Sequence, residues 1–329
     1  MSALDLFYLI KPFIPRGLQI AARKMLAARK RNSVENVWPI DPRAAHAPQD
    51  WKGWPDQKKF ALVLNHDVDT QKGHDRCAEL MNLEMRLGFR SSFYFVPEGY
   101  RVSPTQRRSI EQAGFEVGVH GLRHDGKMFK SRKIFDARAR RVNDFLKEWE
   151  AVGFSSPSMH RNLDWVIDLD IEYDISTFDS DPFEPQNDGV GRIFPFLYEN
   201  LFSGRSYIEI PYTLPQDHNL FIILGEKDIS IWMKKLKWIA ENGGMALINT
   251  HPDYMRFDGA KCASEEYPVS YYLSFLDHVQ NKYAGQYWNA LSREVARFWK
   301  ATMVAQKVAP TLIKKDEGGR GEETAPLRA

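Results

Sequence analysis

The chain has 329 residues, long enough for one large domain or two modest ones, with 43% hydrophobic and 27% charged residues, an ordinary soluble composition. The net charge of +2 hides an asymmetry: residues 1–33 hold Lys11, Arg16, Arg23, Lys24, Arg29, Lys30 and Arg31 against Asp5 alone, a net of +6 that leaves the rest at −4. A mildly acidic body argues against nucleic-acid binding, which needs a broad basic face.

Along the chain, "MSALDLFYLIKPFIPRGLQIAARKMLAARKRN" opens without a basic n-region, and its longest apolar run, Leu6–Ile10, is soon broken by Lys11 and Pro12. It does not read as a signal peptide, and nothing approaches the ~20 apolar residues of a membrane span. Residues 1–36 instead form a basic amphipathic segment, with a helix expected near Leu18–Arg31 whose Leu18, Ala21, Ala22 and Met25 share one face. That pattern suits either a helix on an anionic membrane surface or one packed against the main domain. Residues 37–58, rich in proline and tryptophan, read as an irregular connector.

The main domain, expected over 59–305, opens with a strand at Phe60–Asn65, a helix near Gly73–Leu87 and a strand at 91–97. A helix near Pro104–Ala113, the strand "FEVGVH" and a helix near Ser131–Val152 follow. Further strands are expected at Tyr173–Thr177, Tyr207–Ile210 and Met245–Asn249, with a helix at Ile229–Glu241. Alternating strands and helices predict a parallel sheet, as a barrel or a doubly wound sheet. No glycine-rich nucleotide loop is present. Residues 306–329, charged and glycine-rich, read as a disordered tail. The two cysteines, Cys77 and Cys262, form no C-x-x-C pair, so reduced thiols and a reducing compartment are expected.

Polar clusters follow several of these strands: "NHDVD", "HGLRHD" and "THPDY". In parallel α/β folds the carboxyl ends of strands gather chemistry, so residues distant in sequence would meet there. His120 and His124 are four apart, but Gly118, Gly121 and the β-branched Val117 and Val119 argue against a helix. A strand ending at His120, with a loop returning His124 beside it, fits better. Two imidazoles plus a carboxylate from Asp67 or Asp69 suit a catalytic Zn²⁺ with open positions. A purely structural role remains the alternative for H-x-x-x-H alone.

Taken in order, these motifs resemble the polysaccharide deacetylases of carbohydrate esterase family 4, over roughly Lys59 to Tyr254. The resemblance implies a distorted (β/α)7 barrel, here with an N-terminal amphipathic helical extension, that removes N-acetyl groups from amino sugars. "HDVD" is similar to the family's aspartate pair with one residue inserted, which implies Asp67 as base and Asp69 as metal ligand. His120-Gly121-Leu122-Arg123-His124 is similar to H-[ST]-x-x-H and departs only at Gly121. The family's R-x-P arginine orients the base; here "FSSPSMHRN" has Pro157 but Ser155 in the arginine's place, and Arg161 is a substitute candidate. "MALINTHPDY" implies His251 as the late histidine. Asp174 and Asp179, in "YDISTFDSD", are candidates for tuning or substrate contact, or buried hydrogen-bonding acids.

An amide needs its carbonyl polarised and its departing nitrogen protonated. A metal serves the first need, Asp67 can take a proton from water, and His251 can donate to nitrogen because imidazole titrates near neutrality. The Ser158 backbone N–H, where the R-x-P loop resembles the family's, is the candidate oxyanion donor. His66 reads as structural or as orienting a carboxylate. Glu209, Tyr212, Asp217 and His218 surround a strand end suited to sugar hydroxyls or to solvent. Tyr94, Trp165, Trp232 and Tyr254 are stacking platforms or packing residues.

The leading expectation is a metal-dependent hydrolase of carbon–nitrogen bonds other than peptide bonds, an N-acetyl sugar deacetylase of capsule, lipopolysaccharide or exopolysaccharide assembly. Zn²⁺ is the expected metal, with Co²⁺, Ni²⁺ and Fe²⁺ also suited to the donors. The expected location is cytoplasmic, peripheral on the inner membrane face, where lipid-linked sugars would be met. Alternatives are a hydrolase of a non-sugar amide and a catalytically silent glycan binder.

Overall fold

The computed structural model describes residues 15–186 and 188–303; residues 1–14 of the N-terminal segment and the tail from 306 lie outside the described residues. The strands in chain order are β1 (Phe60–Val68), β2 (Ser92–Phe95), β3 (Glu116–His120), β4 (Gly153–Ser155), β5 (Tyr173–Asp174), β6 (Phe196–Glu199), β7 (Ser206–Glu209) and β8 (Met245–Thr250). Two short strands, β9 (Met255–Arg256) and β10 (Tyr267–Pro268), pair with each other, and β11 (Tyr287–Ala290) comes last. The helices are α1 (Arg16–Arg31), α2 (Gln71–Arg86), α3 (Pro104–Gln112), α4 (Arg132–Trp149), α5 (Leu163–Val166), α6 (Ser230–Glu241), α7 (Val269–Tyr283) and α8 over 292–303.

Parallel pairing runs β8-β1-β2-β3-β4-β5-β7. The Thr213 and Leu214 N–H groups both donate to the Leu247 carbonyl of β8, bridging the gap beyond β7. The result is the expected distorted (β/α)7 barrel, with β6 added antiparallel to β7 and β11 added beside the lower half of β1. The helices start where capping chemistry predicts: Thr70, Ser103 and Ser131 side chains each accept a backbone N–H from the first turn of α2, α3 and α4.

The barrel interior is filled by tyrosines where two glycines leave room. A Cβ on Gly118 would lie 2.4 Å from the Tyr94 ring, and one on Gly153 would lie 2.1 Å from Tyr173. The Tyr94 and Tyr173 hydroxyls meet at 2.8 Å, and Tyr173 donates to buried Glu116. Tyr94 is therefore packing, not a sugar platform.

Residues 37–58 are irregular, as expected, yet they do not merely connect. Trp51 and Trp54 pack against Trp299, and Trp54 also meets Trp288 and Phe298. The Trp54 indole N–H donates to the Gly243 carbonyl, just before β8, so this segment caps the amino-terminal end of the barrel. Among the described residues, no helix is long and apolar enough to cross a membrane.

Gly153→Ala is expected to destabilise the protein by about 1–3 kcal/mol, because Tyr173 cannot retreat without breaking its hydroxyl contacts. Urea denaturation measures this, and an unchanged midpoint would mean the interior has slack.

Candidate metal centre and cleft

β1 runs three residues beyond the predicted strand, so His66 and Asp67 lie within it and point to opposite faces. His66 faces the outer helices, its Nε2 2.8 Å from Glu84 of α2 and its Nδ1 2.8 Å from the Thr250 hydroxyl. The expected carboxylate partner exists, but it is Glu84, remote from the cleft. Asp67 faces inward and is 2% exposed; its Oδ2 accepts from the Asn249 side chain at 2.7 Å, while its Oδ1 accepts no hydrogen bond and lies 3.4 Å from His120 Nδ1.

Just past β1, the Asp69 Oδ1 is buried, without a hydrogen bond, and lies 3.4 Å from His120 Nε2 and 3.3 Å from His124 Nε2. One ligand atom from each of these three residues falls within 4.8 Å of the others. Strand β3 ends at His120 and the following loop returns His124, as predicted, with the two rings 5.5 Å apart. Gly121 makes the turn at φ +60°, and a Cβ there would sit 2.5 Å from Pro157. That contact explains why glycine replaces the serine or threonine of similar motifs. The His120 Nδ1 sits 3.2 Å from the Ser155 carbonyl and 3.1 Å from its hydroxyl, which turns the Nε2 lone pair toward Asp69.

Electrostatics favour a cation here. Burial pushes the Asp69 carboxyl up, but His124 and His120 beside it win and hold it well below the usual carboxylate range. Desolvation lowers His124, a third of whose side chain is exposed, toward the neutral form that ligates metals, whereas the Asp67 and Asp69 carboxylates outweigh burial and raise His120. An orphaned carboxylate oxygen facing two imidazole nitrogens is a donor set that fits a divalent metal.

Two residues secure Asp69: Asp253, which the motif reasoning passed over, and Tyr254, expected as a stacking platform or packing residue. Asp253 accepts from the Asp69 backbone N–H at 3.0 Å and from the Thr70 hydroxyl at 2.5 Å, and the Tyr254 hydroxyl donates to Asp69 Oδ2 at 3.2 Å. Both follow His251 in "THPDY", so their position after a strand was the available signal.

His251 lines the same cleft. Its Nδ1 lies 2.6 Å from Asp217 Oδ1, and its backbone N–H donates to Asp217 Oδ2, which also accepts from the Tyr267 hydroxyl. Burial lowers this imidazole, but the Asp217 carboxylate prevails and raises it to about 10. With Nδ1 engaged, Nε2 is the nitrogen left to face the cleft, and it carries a proton at neutral pH.

Ser158 also lines the cleft, at φ +57°, and Met159 follows at φ +54°. Two consecutive left-handed residues are strained unless the fold holds them, and such strain collects at functional loops. The cleft of about 490 Å³ is completed by Glu184, Gln216, His218 and Tyr254, and by Gln19, Ala22, Arg23 and Leu26 of α1. Burial raises Glu184 to about 7.

The other expected site residues lie elsewhere. Arg161 does not reach Asp67: its guanidinium donates to the Met159 carbonyl and to Asp188, over the Phe178 ring. Asp174 and Glu209 face each other across β5 and β7, fully buried, where burial raises Asp174 to about 6 and Glu209 well above its ordinary value. They accept from the Ser176 and Thr177 hydroxyls. Asp179 is paired at 2.7 Å with Lys235, itself buried. These three acids are therefore buried hydrogen-bonding groups, and none of them lines the cleft. Trp232 and Trp165 are packed outside the cleft, leaving Tyr254 as the aromatic of the four that lines it.

No known sequence family's profile matches the chain, and no curated protein resembles it closely in sequence. Solved structures do share its fold. A protein described as a polysaccharide deacetylase from Mycobacterium smegmatis superposes with a TM-score of 0.59 at 17% identity, covering 78% of this chain and 96% of its own. The Puue allantoinase gives 0.58 at 15% identity, covering 80% and 98%. A protein described as a polysaccharide deacetylase from Pseudomonas aeruginosa PAO1 gives 0.56 at 15% identity, covering 75% and 92%. The fold is thus that of the polysaccharide deacetylases, as the motifs at 66–69, 120–124 and 245–254 implied.

Tyr254→Phe removes one hydrogen bond to Asp69 and is expected to weaken Zn²⁺ binding about 10-fold, with the fold retained. Calorimetric titration of the purified, metal-stripped protein measures it.

Proposed function

We propose that this protein is a metal-dependent amide hydrolase of the carbohydrate esterase family 4 type, removing N-acetyl groups from an amino sugar in a glycan or glycan precursor. One observation carries the reading: the unpartnered Asp69 oxygen faces the Nε2 atoms of His120 and His124 at the floor of a cleft shared by Asp67 and His251. Asp69, His120 and His124 would hold the metal, Zn²⁺ being best matched to one carboxylate and two imidazoles. When bound, it supplies carbonyl polarisation and a more acidic water.

The remaining work falls to the chain's own groups. Asp67 Oδ1, which accepts no hydrogen bond and has His120 Nδ1 3.4 Å away, would accept a proton from the attacking water, while Asn249 holds the other carboxylate oxygen in place. Asn249 supplies from β8 what the missing arginine would supply from the β4 loop, which argues against a catalytically silent binder. His251, protonated and anchored by Asp217, donates from Nε2 to the departing nitrogen. The Ser158 backbone N–H, on the left-handed turn after β4 that lines the cleft, would steady developing negative charge on the carbonyl oxygen. The cleft volume of about 490 Å³ suits a sugar-sized group.

A second reading, a non-sugar amide substrate, is favoured by two observations. The allantoinase superposes as well as the deacetylase-described structures do, and Ser155 departs from the sugar enzymes' motif. Assaying acetate release from N-acetylhexosamine oligosaccharides beside hydrolysis of small cyclic amides separates the two.

Acetate release is expected to fall at least ~10³-fold in His120→Ala and after chelation, and to return when Zn²⁺ is restored to the wild-type protein alone. Full activity without metal would refute the mechanism. Because His251 must carry its proton, kcat/KM is expected to decline as pH rises through about 10. Asp217→Asn removes the group that raises this imidazole, so the alkaline limb moves to lower pH. An unmoved limb would assign the acid to another residue.

A further inference from the structure

Helix α1 docks on the barrel with its apolar stripe turned outward. Ile20 and Ala27 are buried against the π-helical turn at His218–Ile223, and the polar contacts lie on the same inner side. Arg23 reaches Asn219 at 3.3 Å, Lys30 reaches the Pro182 carbonyl at 2.6 Å, and Arg31 pairs with Glu226 at 2.6 Å. Leu18, Met25 and Leu26 are left 62%, 51% and 60% exposed, with Ala21 and Ala22 exposed between them. An exposed apolar stripe on an otherwise polar helix marks a contact surface.

We propose that this stripe docks on an anionic lipid bilayer and thereby lays the mouth of the cleft against the membrane. Three observations select lipid over another occupant. Exposed Lys24 and Arg29 border the stripe, complementing anionic headgroups. The sequence leading into α1 at Pro15 carries Leu6–Ile10, Phe13 and Ile14, further apolar residues adjoining the same helix. Ala22 and Leu26 belong both to the exposed stripe and to the cleft lining, so an apolar path leads from the surface to the metal centre. The substrate class that fits is an amphiphile, an amide-bearing sugar head group on a lipid; this part rests on the proposed hydrolase activity.

The test is flotation of the full-length protein with phosphatidylcholine vesicles containing about one third phosphatidylglycerol, beside phosphatidylcholine alone. Wild type is expected to float with the anionic vesicles and little with neutral ones. Leu18→Asp with Met25→Asp is expected to cut anionic flotation at least ~10-fold with an unchanged thermal midpoint, since neither side chain is buried. Failure of the wild type to float, or equal flotation of the double variant, overturns the docking. A dimer that this variant dissociates, with no flotation, assigns the stripe to self-association instead. In parallel, the vesicle-borne N-acetylglucosaminyl lipid and soluble N-acetylglucosamine oligosaccharides are assayed. The double variant should lose the first activity and keep the second. Turnover of the soluble substrate alone by wild type overturns the lipid-borne class. Turnover of neither refutes the hydrolase reading and the substrate class with it, while flotation still decides the docking.

Discussion

Burying a carboxylate oxygen with no donor costs free energy that a fold ordinarily avoids, and at Asp69 the cost is incurred beside two imidazole nitrogens. The cluster survives because the scaffold over-determines it. The Asp69 backbone and its other carboxylate oxygen are held by Asp253 and Tyr254, while His120 is aimed by Ser155. These supports come from the carboxyl ends of β8 and β4, so barrel pairing must be complete before the donor set exists. A cation placed among these atoms would offset the burial.

Asp67 and His251 follow a common design, each fixed by one partner that leaves a single atom to face the cleft. Asn249 engages one oxygen of Asp67, and Asp217 engages Nδ1 of His251. Asn249 orients Asp67 without bringing a formal charge of its own, unlike an arginine. The Asp217 carboxylate does more than orient, because it keeps the imidazole protonated where burial would strip it.

Helix α1 shows how a helical pattern and its orientation are separate facts. Its inward side is narrow, Ile20 and Ala27, strengthened by polar contacts from Arg23 and Lys30. The broader apolar stripe faces away from the protein and meets the cleft at its edge. The same helix is therefore both a wall of the cleft and a surface that the barrel does not cover.

Strand and helix periodicity and the clustering of polar residues after strands were enough to read a parallel α/β sheet with the two histidines and the Asp67 and Asp69 pair at its strand ends, and the resemblance of those motifs turned the sheet into a barrel. What stayed hidden depends on contacts between distant segments. Parity within β1 sends His66 to Glu84 and Asp67 to the cleft, which became decidable only once the strand was seen to run to Val68. Asp174, Asp179 and Glu209 have the composition of a site, but cross-strand pairing and Lys235 bury them beneath it. Asn249 and Asp217 have no motif of their own and acquire meaning from what they touch across the barrel. The order of residues thus determined which elements form and which groups stand at their ends, because those depend on neighbours a few positions away. Which of those groups meet, and which way α1 faces, was decided by tertiary packing, because hydrogen bonds and burial act through space and not along the chain.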